Sequence, residues 1–293
     1  MEKQYLYKRL LILPFIWISI AFVHALIYDL LPGSPEAWLI VDDLDYAWTS
    51  DRRYSALVIL GCVLKGDLGN SLFMHKPVVD LIKAHLPLSL QLSMSAFGVT
   101  YVLGMLQGVG LYKQHRFSQY LQVFFSGYAT LPSFLLFTFL FVLSMNMGVQ
   151  IMAYRFPLAI VFLSIRRIAP LARLVASCLR TEGEKPYIAE SRHRGVSSWR
   201  IWVFYLLRNA LIPVWIKAPK QFCHLLFSAC IVVEMLFSIK GYGWLSFIAI
   251  KQLDYPLILG CILTQSIIIS LGYFSGEVLQ LWLSPQIRRG LYA

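Results

Sequence analysis

Six apolar stretches, each long enough to cross a bilayer, constrain this chain more than anything else in it. They fall at about 9–31, 87–112, 118–146, 156–179, 212–237 and 257–283. A helix needs about 20 predominantly apolar residues to cross a hydrocarbon layer roughly 30 Å thick. Inside that layer every backbone N–H and C=O must find a partner within the protein, which limits a spanning segment to a helix or a closed barrel strand. Stretches of this length are helices. Only 14% of the residues are charged, against about 25% in soluble domains, and this excludes an ordinary soluble domain. The expected fold class is an all-α polytopic membrane protein with about six transmembrane helices, forming a single transmembrane domain over residues 1–293.

The positions of the cations set the orientation. Lys and Arg accumulate in cytoplasmic loops. If the N-terminus is inside, the inside pieces 1–9, 113–117, 180–208 and 284–293 hold thirteen Lys/Arg in about fifty residues. The outside pieces 32–86, 147–155 and 238–256 hold eight in about eighty. The long outer loop 32–86 also carries seven carboxylates: Glu36, Asp42, Asp43, Asp45, Asp51, Asp67 and Asp80. The chain is therefore expected to be N-in and C-in. The net charge of +11 serves membrane orientation and not nucleic-acid binding. The first stretch is too long for a signal-peptide core and has no clear cleavage site, so it reads as a retained span.

One interval between the fourth and fifth spans, residues 180–211, is dense in charge. Tyr187–Arg194 reads as a short helix that stops at Gly195, since glycine tolerates the backbone conformations that end helices. A second, amphipathic segment begins after Ser197 or Ser198, either of which can cap it. It leads through Arg208-Asn209 toward Pro213. A helix–glycine–helix elbow at a membrane surface suits docking. A solvated basic loop obeying the charge rule is the alternative.

This segment resembles the cytoplasmic coupling loop of binding-protein-dependent ABC transporter permeases, and within them the B-type subunit of the dipeptide/oligopeptide/nickel importers. Tyr187, Ile188, Arg192, Gly195 and Ser197 fall in register with that loop, as does the run from Leu207 to Pro213, eighteen residues after Gly195. Gly66, Asp67, Leu68, Gly69 and Ser71 match a G-D-L-G-x-S motif before the second span. Glu234, Phe237, Ser238, Gly241, Gly243 and Leu245, followed by Asp254, Tyr255 and Pro256, match two motifs after the fifth span. Glu190, His193 and Lys240 depart from the pattern.

The resemblance implies a permease subunit of an ATP-driven importer in the cell (inner) membrane, multi-pass, forming half of a translocation pathway for dipeptides or oligopeptides. Nickel or another small solute is the alternative substrate, and an ion-coupled secondary carrier the alternative mechanism. Implied partners are a second homologous permease subunit in a heterodimer, two ABC ATPase subunits or domains, and a periplasmic or extracellular solute-binding protein, with the lipid bilayer around them. The residues expected to couple to the ATPase are Tyr187, Glu190, Ser191, Arg192, Arg194, Gly195, Val196 and Ser197.

Candidate pathway residues are Arg166, Arg167, Pro132 and Glu234. Arg166 lies ten residues into a span starting near Phe156, about 15 Å deep at 1.5 Å per residue. An arginine at that depth costs about 2.5–3.5 kcal/mol on insertion scales and avoids lipid. One of the pair is expected on the solute pathway and the other on Glu234, Glu277 or helix-end carbonyls. Alternatively, the span begins later or bends at Pro170, leaving both near a water-accessible surface.

No phosphate-loop signature occurs, so no cofactor is expected on this chain and ATP is expected to be hydrolysed by the partner subunits. The six histidines lack metal-ligand spacing and no catalytic constellation is present. Neither a metal site nor an enzyme is expected.

Overall fold

The computed structural model describes residues 2–30, 61, 65–132, 135, 138, 139, 142 and 154–283. The acidic run Asp42–Asp51, the far end of the expected third span and the tail 284–293 lie outside the described residues. Helix α1 runs Glu2–Leu30, α2 Val78–Tyr112, α3 Arg116–Thr130, α4 Arg155–Gly183 and α5 Pro186–His193. After α5 the chain is helical at Ser198–Arg200, widens into a π-helix over Ile201–Leu207 and tightens again at Arg208–Ala210. Then follow α6 (Ile212–His224), a π-helical stretch Leu225–Ala229, α7 (Cys230–Leu236), α8 (Tyr242–Lys251) and α9 (Tyr255–Leu283). Among the described residues three helical stretches, Val78–Tyr112, Ile212–Leu236 and Tyr255–Leu283, are long and apolar enough to cross a membrane. Within α1 the apolar helix is the shorter Arg9–His24.

The third expected span departs from the reading of the sequence. A continuous proline-kinked helix over 118–146 is expected, but α3 stops at Thr130. Leu131 is extended, with φ −74° and ψ 139°. The ring of Pro132 clashes with the residue before it in the helical conformation and drives that residue into the extended region. The helix is therefore interrupted at Leu131-Pro132.

The chain divides into two compact units. The larger, residues 1–2, 89–239 and 272–293, is built around α4. One face of α4 (Phe162, Leu163, Ile168, Leu171, Ala172, Val175 and Leu179) is buried at helical spacing, while Arg166, Arg167, Arg173 and Arg180 leave it by other faces. Helix α2 crosses close to α4. A Cβ at Gly104 would stand 2.7 Å from Leu171 Cδ2, and one at Gly108 would stand 2.6 Å from Val175 Cβ. Real carbon contacts do not come so near, so only glycine permits this approach. A Cβ at Gly98, by contrast, would meet nothing within 4 Å among the described residues. Below this crossing, Leu179, Ile188, Ile201, Leu206, Ala210 and Val214 bury one another, which seats the short α5 on the end of α4.

The second unit takes residues 3–88 and 240–271. Ala21 of α1 is buried with Leu259 and Leu263 of α9, and Trp17 Nε1 donates to Ser270 Oγ at 2.9 Å. Its organising group is Asp254, 1% exposed. Oδ1 accepts from the Leu257 amide at 3.3 Å and so caps α9. Oδ2 accepts from the Ser71 hydroxyl and the Phe73 amide at 3.2 Å. One carboxylate thereby joins the G-D-L-G-x-S loop to the D-Y-P helix start, two motifs separated by 183 residues. Helix α8 is an element that the reading of the sequence leaves inside a loop. Gly241 ahead of an apolar run is its one advance signal.

Candidate coupling elbow and pathway residues

The elbow is built from backbone upward. Helix α5 starts with Pro186 at its first turn, where a missing N–H removes nothing. It ends in a left-handed glycine, Gly195 with φ +76°. The Gly195 amide donates to Arg192 O at 3.0 Å and the Val196 amide to Ser191 O at 3.2 Å. This pair of reversed bonds closes the helix end and needs a positive φ at the glycine. The expected stop at Gly195 is present, and the next helical turn begins at Ser198 with Ser197 at the cap position, though no side-chain cap bond forms. A Cβ at Gly195 would meet nothing within 4 Å among the described residues. The glycine is thus required by its backbone conformation, not by crowding inside this chain.

The exposed side of the elbow consists of Glu190, Arg192, His193, Arg194, Gly195, Ser197, Ser198 and Trp199, the last 73% exposed. Glu190 and Arg194 pair one helical turn apart. Both are largely solvated, so the pair adds little stability. Val196 is half-buried.

Beneath the elbow lies a polar knot. The Tyr187 hydroxyl donates to Glu182 at the end of α4 and accepts from Asn209 Nδ2 at 3.1 Å. Lys185 Nζ lies 2.6 Å from the other Glu182 oxygen, and Ser191 Oγ donates to Tyr187 O at 2.8 Å. The outgoing helix, the elbow and the returning helix therefore meet at one phenol. Loss of hydration, and then the hydrogen bond to Glu182, push the Tyr187 hydroxyl above its ordinary pKa, so it stays neutral. Glu182 and Asn209 are not among the coupling residues expected from sequence. Glu182 and Glu184 both stand at the loop's edge, so the sequence alone does not single out Glu182.

The pathway candidates sit in two arrangements. Arg166 Nη1 donates to Leu131 O at 2.8 Å, at the interruption caused by Pro132. A carbonyl released by a broken helix is capped by a guanidinium, so two of the candidates form one device. Arg167 Nη2 donates to His224 O at 3.4 Å, where α6 passes into its π-helical stretch. Both arginines are half-buried. Helix-end carbonyls are thus partners of both, as the sequence allows for one of them. Glu234 is fully buried and accepts from Ser89 Oγ of α2. The structure brings Arg166 to Leu131-Pro132 and brings Glu234 to Ser89.

A model of the family described as "Binding-protein-dependent transport system inner membrane component" matches residues 100–289. The chain is 25% identical over 252 residues to the peptidoglycan transport system permease protein YejB of Agrobacterium fabrum, covering 76% of this chain and 68% of that protein. It is 26% identical over 307 aligned positions to the nickel import system permease protein NikB of Staphylococcus aureus strain MRSA252, covering 98% of this chain and 92% of that protein.

Proposed function

The chain belongs to the binding-protein-dependent transport system inner membrane components, as a permease of the peptide/nickel branch of ABC importers, and on that premise we propose that it carries peptides. It is a multi-pass protein of the cell membrane and not itself an enzyme. In this reading it crosses the membrane six times, N-in and C-in, and lines half of a pathway completed by a second homologous permease. Two ATPases and a solute-binding protein complete the assembly, and ATP is hydrolysed on those partners.

The observation that carries the coupling part of this reading is the elbow. Its outer face is exposed and charged, while its inner face is tied to α4 and to the returning helix through Tyr187. Closure of an ATPase around Glu190–Ser197 would then pass to both helices as a rigid-body movement. Arg166 and Arg167 hold helix-end carbonyls with some of their five N–H groups. The remaining ones are available to a peptide carboxylate. A second reading takes nickel as the cargo, and the name of the Staphylococcus relative favours it.

Vesicle uptake separates the alternatives. With the partner permease, ATPases and binding protein co-reconstituted, the account expects ATP-dependent uptake of labelled dipeptide or oligopeptide. Arg166→Leu and Arg167→Leu are expected to impair uptake while the complex still assembles. Uptake driven by a proton gradient without ATP would overturn the importer mechanism. Uptake of nickel but not peptide would overturn the substrate assignment alone.

A further inference from the structure

On the side of the larger unit where α2 ends and α3 begins, an open pocket of about 440 Å³ is lined by Leu111, Gln122, Arg173, Ala176, Ser177, Arg180 and Thr181. Arg173, Ser177, Arg180 and Thr181 stand at i, i+4, i+7 and i+8 on α4, hence on one face. The two guanidinium groups are carried about 10 Å apart along the helix axis, at 1.5 Å per residue. No carboxylate lines the pocket. Glu182, the nearest in sequence, points to Tyr187 and Lys185 instead.

The cations here are not spent as Arg166 and Arg167 are. Arg180 has no hydrogen-bond or ion-pair partner among the described residues, and Arg173 reaches one neutral hydroxyl, Ser126 Oγ, at 3.3 Å. Gln122 gives its amide nitrogen to Ala169 O at 3.2 Å and to Ser126 Oγ at 3.3 Å. Its Oε1 is buried with no partner among the described residues. The pocket thus offers two guanidinium forks, two hydroxyls and an unmatched acceptor.

Its surroundings point to lipid. Tyr120, Val123 and Phe124 flank Gln122 on α3 and are 74%, 73% and 62% exposed. Gln122 comes six residues after the start of α3, and Ser177 six before the end of α4, about 9 Å from the helix ends. That is a depth at which headgroups meet acyl chains, since each polar layer of a bilayer is about 5–7 Å thick. Basic pockets between membrane helices on the cytoplasmic side suit anionic headgroups, and planar guanidinium groups match phosphate oxygens two at a time.

We propose that this pocket binds the headgroup of a phospholipid of the cytoplasmic leaflet, with Arg173 and Arg180 on the phosphodiester and Gln122 accepting from a headgroup hydroxyl. Phosphatidylglycerol has both features, whereas phosphatidylcholine has the phosphate but no hydroxyl or N–H donor. The leaflet rests on the N-in orientation proposed above. The chemistry of the pocket does not.

Native mass spectrometry of the full chain in detergent, titrated with phosphatidylglycerol, tests the assignment. The wild type should retain the lipid about tenfold more strongly than Arg173→Gln or Arg180→Gln, the usual scale for one charge-assisted bond. Arg180→Lys, which keeps the charge, should fall between them. Lys251→Gln, which removes a charge elsewhere, should retain lipid like the wild type, and phosphatidylcholine should be held less tightly than phosphatidylglycerol. Equal retention by Arg180→Gln and Lys251→Gln would overturn the site. Displacement of the lipid by an equal concentration of inorganic phosphate would make it a free-anion site and overturn the lipid assignment. A reporter fused at Lys185 reads the orientation separately: an outside signal would sink the leaflet assignment and the coupling role together, while leaving headgroup retention as measured.

Discussion

Two polar knots hold loops to helix ends in this chain, and they are built differently. In the smaller unit Asp254 is 1% exposed and gathers Ser71, Phe73 and Leu257 around one carboxylate. In the larger unit Tyr187 is half-buried and gathers Glu182 and Asn209 around one neutral hydroxyl. A buried charge satisfied by several donors resists rearrangement, because removing any partner leaves an expensive unpaired group. A phenol at the rim of a loop exchanges its bonds with water at little cost. The difference teaches where stiffness is placed: the G-D-L-G-x-S loop is locked onto a helix start, while the elbow is held to its two helices by weaker, exchangeable bonds.

The comparison breaks most visibly at Asp254. Asp254→Ala removes a helix cap and strands two further donors, and should lower stability by about 3 kcal/mol. A thermal melt of the purified chain checks this, and an unchanged midpoint would mean the carboxylate is not the lock. Gly195→Leu comes next. Nothing in this chain crowds the added side chain, but a leucine at φ +76° is strained by about 1–2 kcal/mol. The protein should insert normally while ATPase association, read by co-purification, weakens. Tyr187→Phe is the smallest effect, about 1 kcal/mol, since it removes two bonds of a half-exposed hydroxyl whose partners regain water. It carries a pH signature. The Tyr187 pKa is raised on folding, so its contribution is complete below the unfolded value near 10 and is lost as pH rises through the folded value. Tyr187→Phe should remove that alkaline sensitivity and leave neutral-pH behaviour nearly unchanged, as melts at neutral and alkaline pH will show.

How much of this was legible depends on the kind of signal. Gly195 was readable because a left-handed helix end leaves few choices of residue, and the spacing to Pro213 carries the rest of the elbow. The sequence suggests a kink at Leu131-Pro132 and the structure has a break, since whether a proline bends or ends a helix depends on what caps the freed carbonyl, here Arg166 from another helix. Asp254 and Ser71 belong to separate motifs in the sequence. Their meeting across 183 residues has no local trace. The π-helical turns Ile201–Leu207 and Leu225–Ala229 have none either, because i→i−5 and i→i−4 ladders draw on the same residue types. Glu182 is not legible because its partners Tyr187 and Lys185, five and three residues on, reach it only through the turn between α4 and α5.

The central claim is that the elbow is the surface that meets the ATPase, and a cysteine at Glu190 tests it most directly. In the assembled importer, Glu190→Cys should form a crosslink to the ATPase subunit with a short bifunctional thiol reagent, while Lys251→Cys, placed on the opposite side by the proposed topology, should form none. Absence of the Glu190 crosslink in an assembly that still transports, or a crosslink at Lys251 of equal yield, would contradict the account.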